Sequence, residues 1–345
     1  MEENVVLGVF AALPLLFGWG LLLFFRKHRL HKRGGTPLLL AGNTLVFTFL
    51  CSIVLLFGEI YYRFVYDSTE SFGLTKTTAR WFQEHFQRNS LGLRDSVDYE
   101  LKIRNGTPRV TFIGDSFTAG HGIPNVEDRF ANRLRGLSPS REVHVLAICG
   151  WDTGQEISSL QAACDNGYEL ESVVLAYCLN DISDISPEWQ NLVGRIEGFS
   201  EPGALVENSY LCNTLYYRWK AASDPDISDY YQFVDGLYRG RTWEMQKRRL
   251  QFLRDEVHRR GGRLLVVTFP FYHALDGNYR YGSIHELLDR SWQEIGVPHL
   301  DLLPAYGSYK ADELTVSDYD AHPNEHAHSI AAKAIAGFLE QQTPP

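Results

Sequence analysis

Two uninterrupted apolar runs near the amino terminus, Val5 to Phe25 and Thr36 to Gly58, limit this chain more than any other feature. Neither carries a charge, and each is long enough for a helix that crosses a bilayer. In hydrocarbon a single segment satisfies its backbone N–H and C=O groups only as a helix, so residues 1–59 are expected to hold two transmembrane helices. Between them lies Arg26-Lys27-His28-Arg29-Leu30-His31-Lys32-Arg33, with five Lys/Arg. The start carries Glu2 and Glu3 instead, and the twenty residues from Glu59 carry only Arg63 and Lys76 as cations. By the positive-inside rule the basic loop is a cytoplasmic topology determinant, and both termini face the outer side of a cell membrane. In the juxtamembrane segment over 60–107, Tyr61, Tyr62, Phe64 and Tyr66 suit either an interfacial aromatic belt or a helix packing on the outward domain. A cleavable signal peptide is the competing reading of the first run, but its positive charges would precede the apolar stretch, and here they come after it.

The rest of the chain has a different character. Beyond residue 59 there are 28 Lys/Arg against 39 Asp/Glu, a formal charge of −11, which sets nucleic acid aside as a partner. These residues suffice for one large α/β domain, expected over 108–345. Cys51 lies in the second run, and Cys149, Cys164, Cys178 and Cys212 lie in the outward part. An oxidising compartment permits disulfides there, but no Cys-x-x-Cys points to a thiol-based metal or redox site.

Short apolar, β-branched runs at Arg109–Ile113, Val143–Ile148, Val173–Tyr177, Arg263–Phe269 and Pro298–Leu303 predict strands. Stripes at helical spacing, Phe130/Leu134/Leu137, Leu250/Leu253/Val257 and Ala331/Ile335/Phe338/Leu339, predict core-facing helices among them. The alternation favours a doubly wound parallel sheet, whose active site lies at the carboxyl ends of the strands. Ser116, in Gly114-Asp115-Ser116-Phe117, directly follows the first strand. A serine hydroxyl is a poor nucleophile until a histidine accepts its proton and a carboxylate orients that imidazole. His322, in Asp320-Ala321-His322-Pro323-Asn324, supplies the base. Each string alone reads as an ordinary turn or loop; together they suggest a serine esterase.

Four blocks in order carry a family resemblance. They are Gly114 to Gly120, Cys149-Gly150-Trp151-Asp152-Thr153, Leu179-Asn180-Asp181-Ile182 and the block around His322. In these the chain resembles the SGNH hydrolases, the GDSL-type esterase and lipase superfamily. Asn89-Ser90-Leu91-Gly92-Leu93-Arg94-Asp95 is similar to bacterial members. The resemblance implies a flavodoxin-like doubly wound sheet with the serine strand lying between the strands that end at Cys149 and Cys178. It implies Ser116 as nucleophile, His322 as base, and an oxyanion hole from the backbone amides of Ser116 and Gly150 with the side-chain amide of Asn180. It implies no cofactor. Such donors commonly contribute a few kcal/mol each to lowering the barrier.

Two departures matter. The family most often places its acid three residues before the histidine, where this chain has Tyr319; Asp320 lies two before and Asp318 four before, and the shorter spacing of other bacterial members favours Asp320. Val145 and Ala147 replace residues common in relatives, which implies a packing change and leaves Gly150 in place. His326 and His328 near His322 invite a metal reading, but no carboxylate or thiol framework completes a site, so no metal is expected. An aromatic-rich insertion over about 183–262, with Trp189, Tyr230, Tyr231, Phe233, Tyr238 and Trp243 among its residues, reads as a helical subdomain or a substrate wall. Phe269 to His273 lies on the same side of the sheet.

The expectation is a membrane-anchored serine ester hydrolase acting on an acyl, chiefly O-acetyl, ester of an envelope carbohydrate or lipid. The same triad serves an O-acyltransferase if a polysaccharide hydroxyl replaces water, with a multi-span acyl exporter as partner. A glycan-binding module on the same fold is the third reading, against which the intact Ser, Gly, Asn and His positions argue.

Overall fold

The computed structural model describes residues 2–28, 35–104, 106–197 and 203–342, so Arg29 to Arg33 of the basic loop lie outside the described residues. The chain forms two compact units. One comprises Met1–Ser68, Gly73–Arg80 and Phe199–Asp224; the other comprises Thr69–Phe72, Trp81–Gly198 and Pro225–Pro345.

The first unit is built on α1 (Glu2–His28) and α2 (Thr36–Phe64). Their apolar windows have mean hydropathies of 2.3 and 2.2, and both helices are long and apolar enough to cross a membrane. At 1.5 Å per residue each is about 40 Å long, against a hydrocarbon core of about 30 Å. They run antiparallel: Gly42 lies against the Phe24 ring and Gly18 against Phe49, while Arg63 near the end of α2 donates to the Glu3 carbonyl at 2.9 Å.

Glu59, fully buried on α2, is the acceptor that starts the helix Tyr210–Ser223. Its carboxylate receives Ser209 Oγ at 2.6 Å, Tyr210 N at 3.1 Å and Leu211 N at 3.0 Å. Farther along, Arg218 donates to the hydroxyls of Tyr62 and Tyr66, whereas Tyr61 and Phe64 are exposed. The aromatic run at the end of α2 thus divides between helix packing and exposure. Replacing Glu59 by Ala leaves two backbone donors and a hydroxyl without their acceptor, and is expected to cost this unit about 2–4 kcal/mol. Thermal unfolding in detergent checks this: Glu59→Ala should melt well below wild type and Glu59→Gln, which keeps an acceptor oxygen, between them.

In the second unit five strands, β1 (Arg109–Gly114), β2 (Glu142–Ala147), β3 (Ser172–Cys178), β4 (Arg263–Phe269) and β5 (His299–Asp301), form one parallel sheet in the order β2-β1-β3-β4-β5. This is the flavodoxin-like doubly wound order. The central runs are buried almost without interruption, as strands covered on both faces must be. β5 is shorter than expected, because the chain turns into a 3-10 helix at Leu303–Tyr306. Leu137 is 52% exposed, because its helix ends there at Ser138 and the last turn projects past the core. β6 (Thr315–Ser317) and β7 (Asp320–Pro323) make a separate antiparallel pair. His322, expected on the loop that opens the last helix, lies in β7 instead. Asn324 then caps the helix Glu325–Gln341 through bonds from His326 N and Ala327 N.

Much of the insertion packs inward in this unit. Tyr230, Tyr238 and Trp243 are buried, and the Trp189 ring lies 5.6 Å from that of Tyr230. Tyr238 donates to the Leu179 carbonyl at 2.7 Å, bracing the turn that carries Asn180.

Candidate active site

Each predicted site residue follows a strand of the main sheet or lies on the β6–β7 hairpin. Ser116 opens the short helix Ser116–Ala119 immediately after β1, capped by Asp115, whose carboxylate accepts from Phe117 N at 2.9 Å. The helix closes at Gly120 with φ +78°, a left-handed conformation that costs glycine nothing. Two residues on, Gly122 (φ +80°) lies so near Val316 of β6 that a Cβ would stand 2.5 Å from it. The hairpin bearing Asp320 and His322 therefore closes directly on the Ser116 turn.

There the side chains meet. His322 Nε2 lies 2.8 Å from Ser116 Oγ, and His322 Nδ1 lies 2.5 Å from Asp320 Oδ1. With Nδ1–H donating to the carboxylate, Nε2 is left as the acceptor for the serine hydroxyl. Ser116 and His322 retain 8% and 9% exposure while Asp320 has none, so the carboxylate is the driest of the three groups. Asp318 sits in the exposed turn between β6 and β7. Asp320 also accepts from the His322 backbone N–H at 3.0 Å and from Thr69 Oγ1. Burial pushes its pKa up, but His322, His121 and their bonds outweigh that and hold it well below the usual carboxylate range.

Gly150 and Asn180 follow β2 and β3, the two strands that flank β1, so all three positions share one carboxyl edge. Gly150 is exposed with φ +84° and nothing crowding a Cβ; backbone conformation, not space, calls for glycine there. Asn180 is half-buried in a turn tied down by Asp181, whose Oδ2 accepts from Cys178 N at 2.8 Å. Thr153 N donates to the Asp181 carbonyl at 3.0 Å and so joins the two loops.

Sequence reasoning alone misses His121, whose ring stacks on His322 with centroids 4.0 Å apart and planes 11° from parallel. Its Nε2 is 3.2 Å from Asp320 Oδ2. The flanking Gly120 and Gly122 are the one signal in the sequence, marking a tight double turn at a residue otherwise without a motif. His326 and His328 do not join His322: His326 is exposed beside Tyr309, and His328 is buried with Nδ1 accepting from Phe130 N at 3.1 Å. Arg94, from the stretch similar to bacterial members, is buried and donates to the carbonyls of Gly120 and Ile123, supporting the turn from behind.

A second group of acids lies buried around the same strand ends. Burial first, and neighbouring carboxylates next, push Asp152 up to about 8 and hold Glu156 and Asp181 well above their ordinary values; burial also lifts Asp115 to about 6. Both Glu156 carboxyl oxygens lack a hydrogen-bond partner among the described residues. The native state keeps protons here that the unfolded chain releases near pH 4, so this stabilisation is complete at low pH and is lost as pH rises through the folded values. Above pH 7 burial keeps His144, His273 and His328 uncharged, with values of about 3 to 4, leaving the buried carboxyl groups and His121, whose pKa is raised, to contribute to the slope. The melting temperature is expected to fall between pH 7 and pH 9, and to fall less in Glu156→Gln. A wild-type melting temperature that is flat or rises over that interval contradicts the assignment.

No protein-family model and no curated protein sequence matches the chain. Solved structures do. A two-domain esterase active on acetylated mannans is similar at 16% identity and a TM-score of 0.37 over 68% of this chain, which spans about half (49%) of that protein. A G-D-S-L family lipolytic protein from Desulfitobacterium hafniense is similar at 13% identity and 0.43, over 68% of this chain and 100% of its own. An acetylxylan esterase from Geobacillus stearothermophilus, solved as a serine-to-alanine catalytic mutant, is similar at 14% and 0.40, over 69% and 96%. The proteins this chain resembles are GDSL esterases and lipases; at these identities the likeness concerns the fold.

Proposed function

We propose that the chain is a membrane-anchored serine ester hydrolase of SGNH type, acting on an acyl ester, chiefly O-acetyl, of a carbohydrate or lipid on the outer side of the membrane. The observation that carries this reading is the continuous contact from Ser116 Oγ through His322 to the buried Asp320. Ser116 Oγ attacks the acyl carbonyl carbon while its proton passes to His322 Nε2, and Asp320 holds the Nδ1–H and balances the imidazolium. The carbonyl electron pair moves onto oxygen, where the amides of Ser116 and Gly150 and the side chain of Asn180 receive it. Collapse expels the alcohol with the proton from His322. Water, deprotonated by the same imidazole, then releases the carboxylic acid and restores Ser116.

The anchoring part of the proposal rests on the antiparallel pair α1 and α2, whose outer ends meet at Glu3 and Arg63, and on the basic residues between the spans. The test is turnover of p-nitrophenyl acetate by the detergent-solubilised chain beside Ser116→Ala. Release of p-nitrophenol well above that variant is expected. No difference between them sinks simple hydrolysis and moves the weight to transfer onto a sugar hydroxyl or to binding.

A further inference from the structure

Resting on that reading, we propose that His121 is a positioning residue that regulates the same site: it holds the second oxygen of Asp320 and braces the His322 ring, and when it gains a proton it draws the carboxylate away from His322. The relay then fails in acid with two protons where one histidine alone would take one.

The geometry is specific. Asp320 Oδ1 faces His322 Nδ1, leaving Oδ2 to Thr69 Oγ1 and, at 3.2 Å, to His121 Nε2. This last contact has ion-pair length and is not matched by a hydrogen bond at His121 Nε2 among the described residues, so its attraction is greatest once His121 is protonated. The stacked rings, 4.0 Å apart, block His322 from swinging out on that side. Behind His121 the 76–85 helix offers Trp81 and Phe82, whose centroids lie 6.4 Å and 5.1 Å from its ring. The titratable and charged groups facing it are Asp320 and His322 from the hairpin, Cys149 after β2, and the Arg94 guanidinium over Trp81. Burial and His322 oppose a charge on His121, yet Asp320 and Cys149 outweigh them and raise its pKa. Both imidazoles face one carboxylate, and a charge on His322 opposes a charge on His121.

The experiment compares kcat/KM against pH for p-nitrophenyl acetate in the full chain, His121→Gln and His121→Ala. The Gln side chain reaches the same oxygen with an N–H that cannot ionise. His121→Gln is expected to keep its plateau within about fivefold, with an acid limb that is shallower and displaced to lower pH. His121→Ala should lose about 10²-fold in kcat with KM little changed, as a misplaced catalytic group does. A readout without turnover is the low-field proton resonance of the Nδ1–H shared by His322 and Asp320, followed in a Ser116→Ala background. With His121 present it should show a pH-dependent step that is missing in His121→Gln. A His121→Gln acid limb as steep as wild type, a resonance that moves identically in both, or a His121→Ala enzyme with an unchanged profile overturns the proposal. Wild-type turnover no greater than Ser116→Ala would sink the esterase reading instead, and the resonance would still decide the role of His121.

Discussion

Ser116→Ala and His322→Ala are each expected to lower kcat for p-nitrophenyl acetate by about 10⁴- to 10⁶-fold, and the double variant is expected to be no worse than either single one. The reason is that the two side chains do one job. Without Oγ there is nothing for the imidazole to deprotonate, and without the imidazole the hydroxyl 2.8 Å away remains a neutral alcohol. Activity left in all three variants measures the oxyanion donors and binding alone. Initial rates at saturating substrate check this. Losses that multiply in the double variant would mean that the residues act independently, against a shared relay.

Asp320→Asn is expected to cost about 10⁴-fold in kcat, while Asp318→Asn stays within about twofold of wild type. Both substitutions nearly conserve volume and differ in what surrounds them. The Asp320 carboxylate is fully buried, 2.5 Å from His322 Nδ1, and its oxygens also take the His322 N–H and Thr69. An amide there donates where the imidazole needs an acceptor, favours the wrong tautomer and leaves a developing imidazolium uncompensated in a dry site. Asp318 is exposed in the hairpin turn, where solvent screens its charge. Paired kinetics of the two asparagine variants, with circular dichroism as the folding control, decide the point. Equal losses, or a loss confined to Asp318→Asn, would assign the acid differently.

The sheet is legible in the sequence because its strands are buried on both faces and therefore read as continuous apolar runs at Arg109, Val143, Val173 and Arg263. Ser116, Gly150 and Asn180 can be placed for the same reason: each comes within a few residues of the end of such a run. β6 and β7 leave no such trace, since three or four half-polar residues paired with each other carry no periodicity. That hairpin determines which aspartate faces the histidine, so spacing alone leaves Asp318 and Asp320 both open. Apart from the glycines that flank His121, neither His121 nor Thr69 carries a sequence signal, because their partner lies about two hundred residues away or more in sequence and the contact is purely tertiary. The insertion divides in a way that composition does not mark: Tyr230 to Trp243 packs beside the sheet, whereas 203–224 belongs to the unit of the two long helices, joined to it through Glu59.

The central claim is that Ser116 is a nucleophile activated by His322. Its most direct test is covalent capture by a fluorophosphonate, with mass spectrometry of the peptide that carries Gly114-Asp115-Ser116. A single phosphonyl adduct on Ser116 is expected, abolished in Ser116→Ala and slowed by orders of magnitude in His322→Ala. An unmodified Ser116 in folded wild-type protein, or labelling as fast without His322 as with it, would contradict the account.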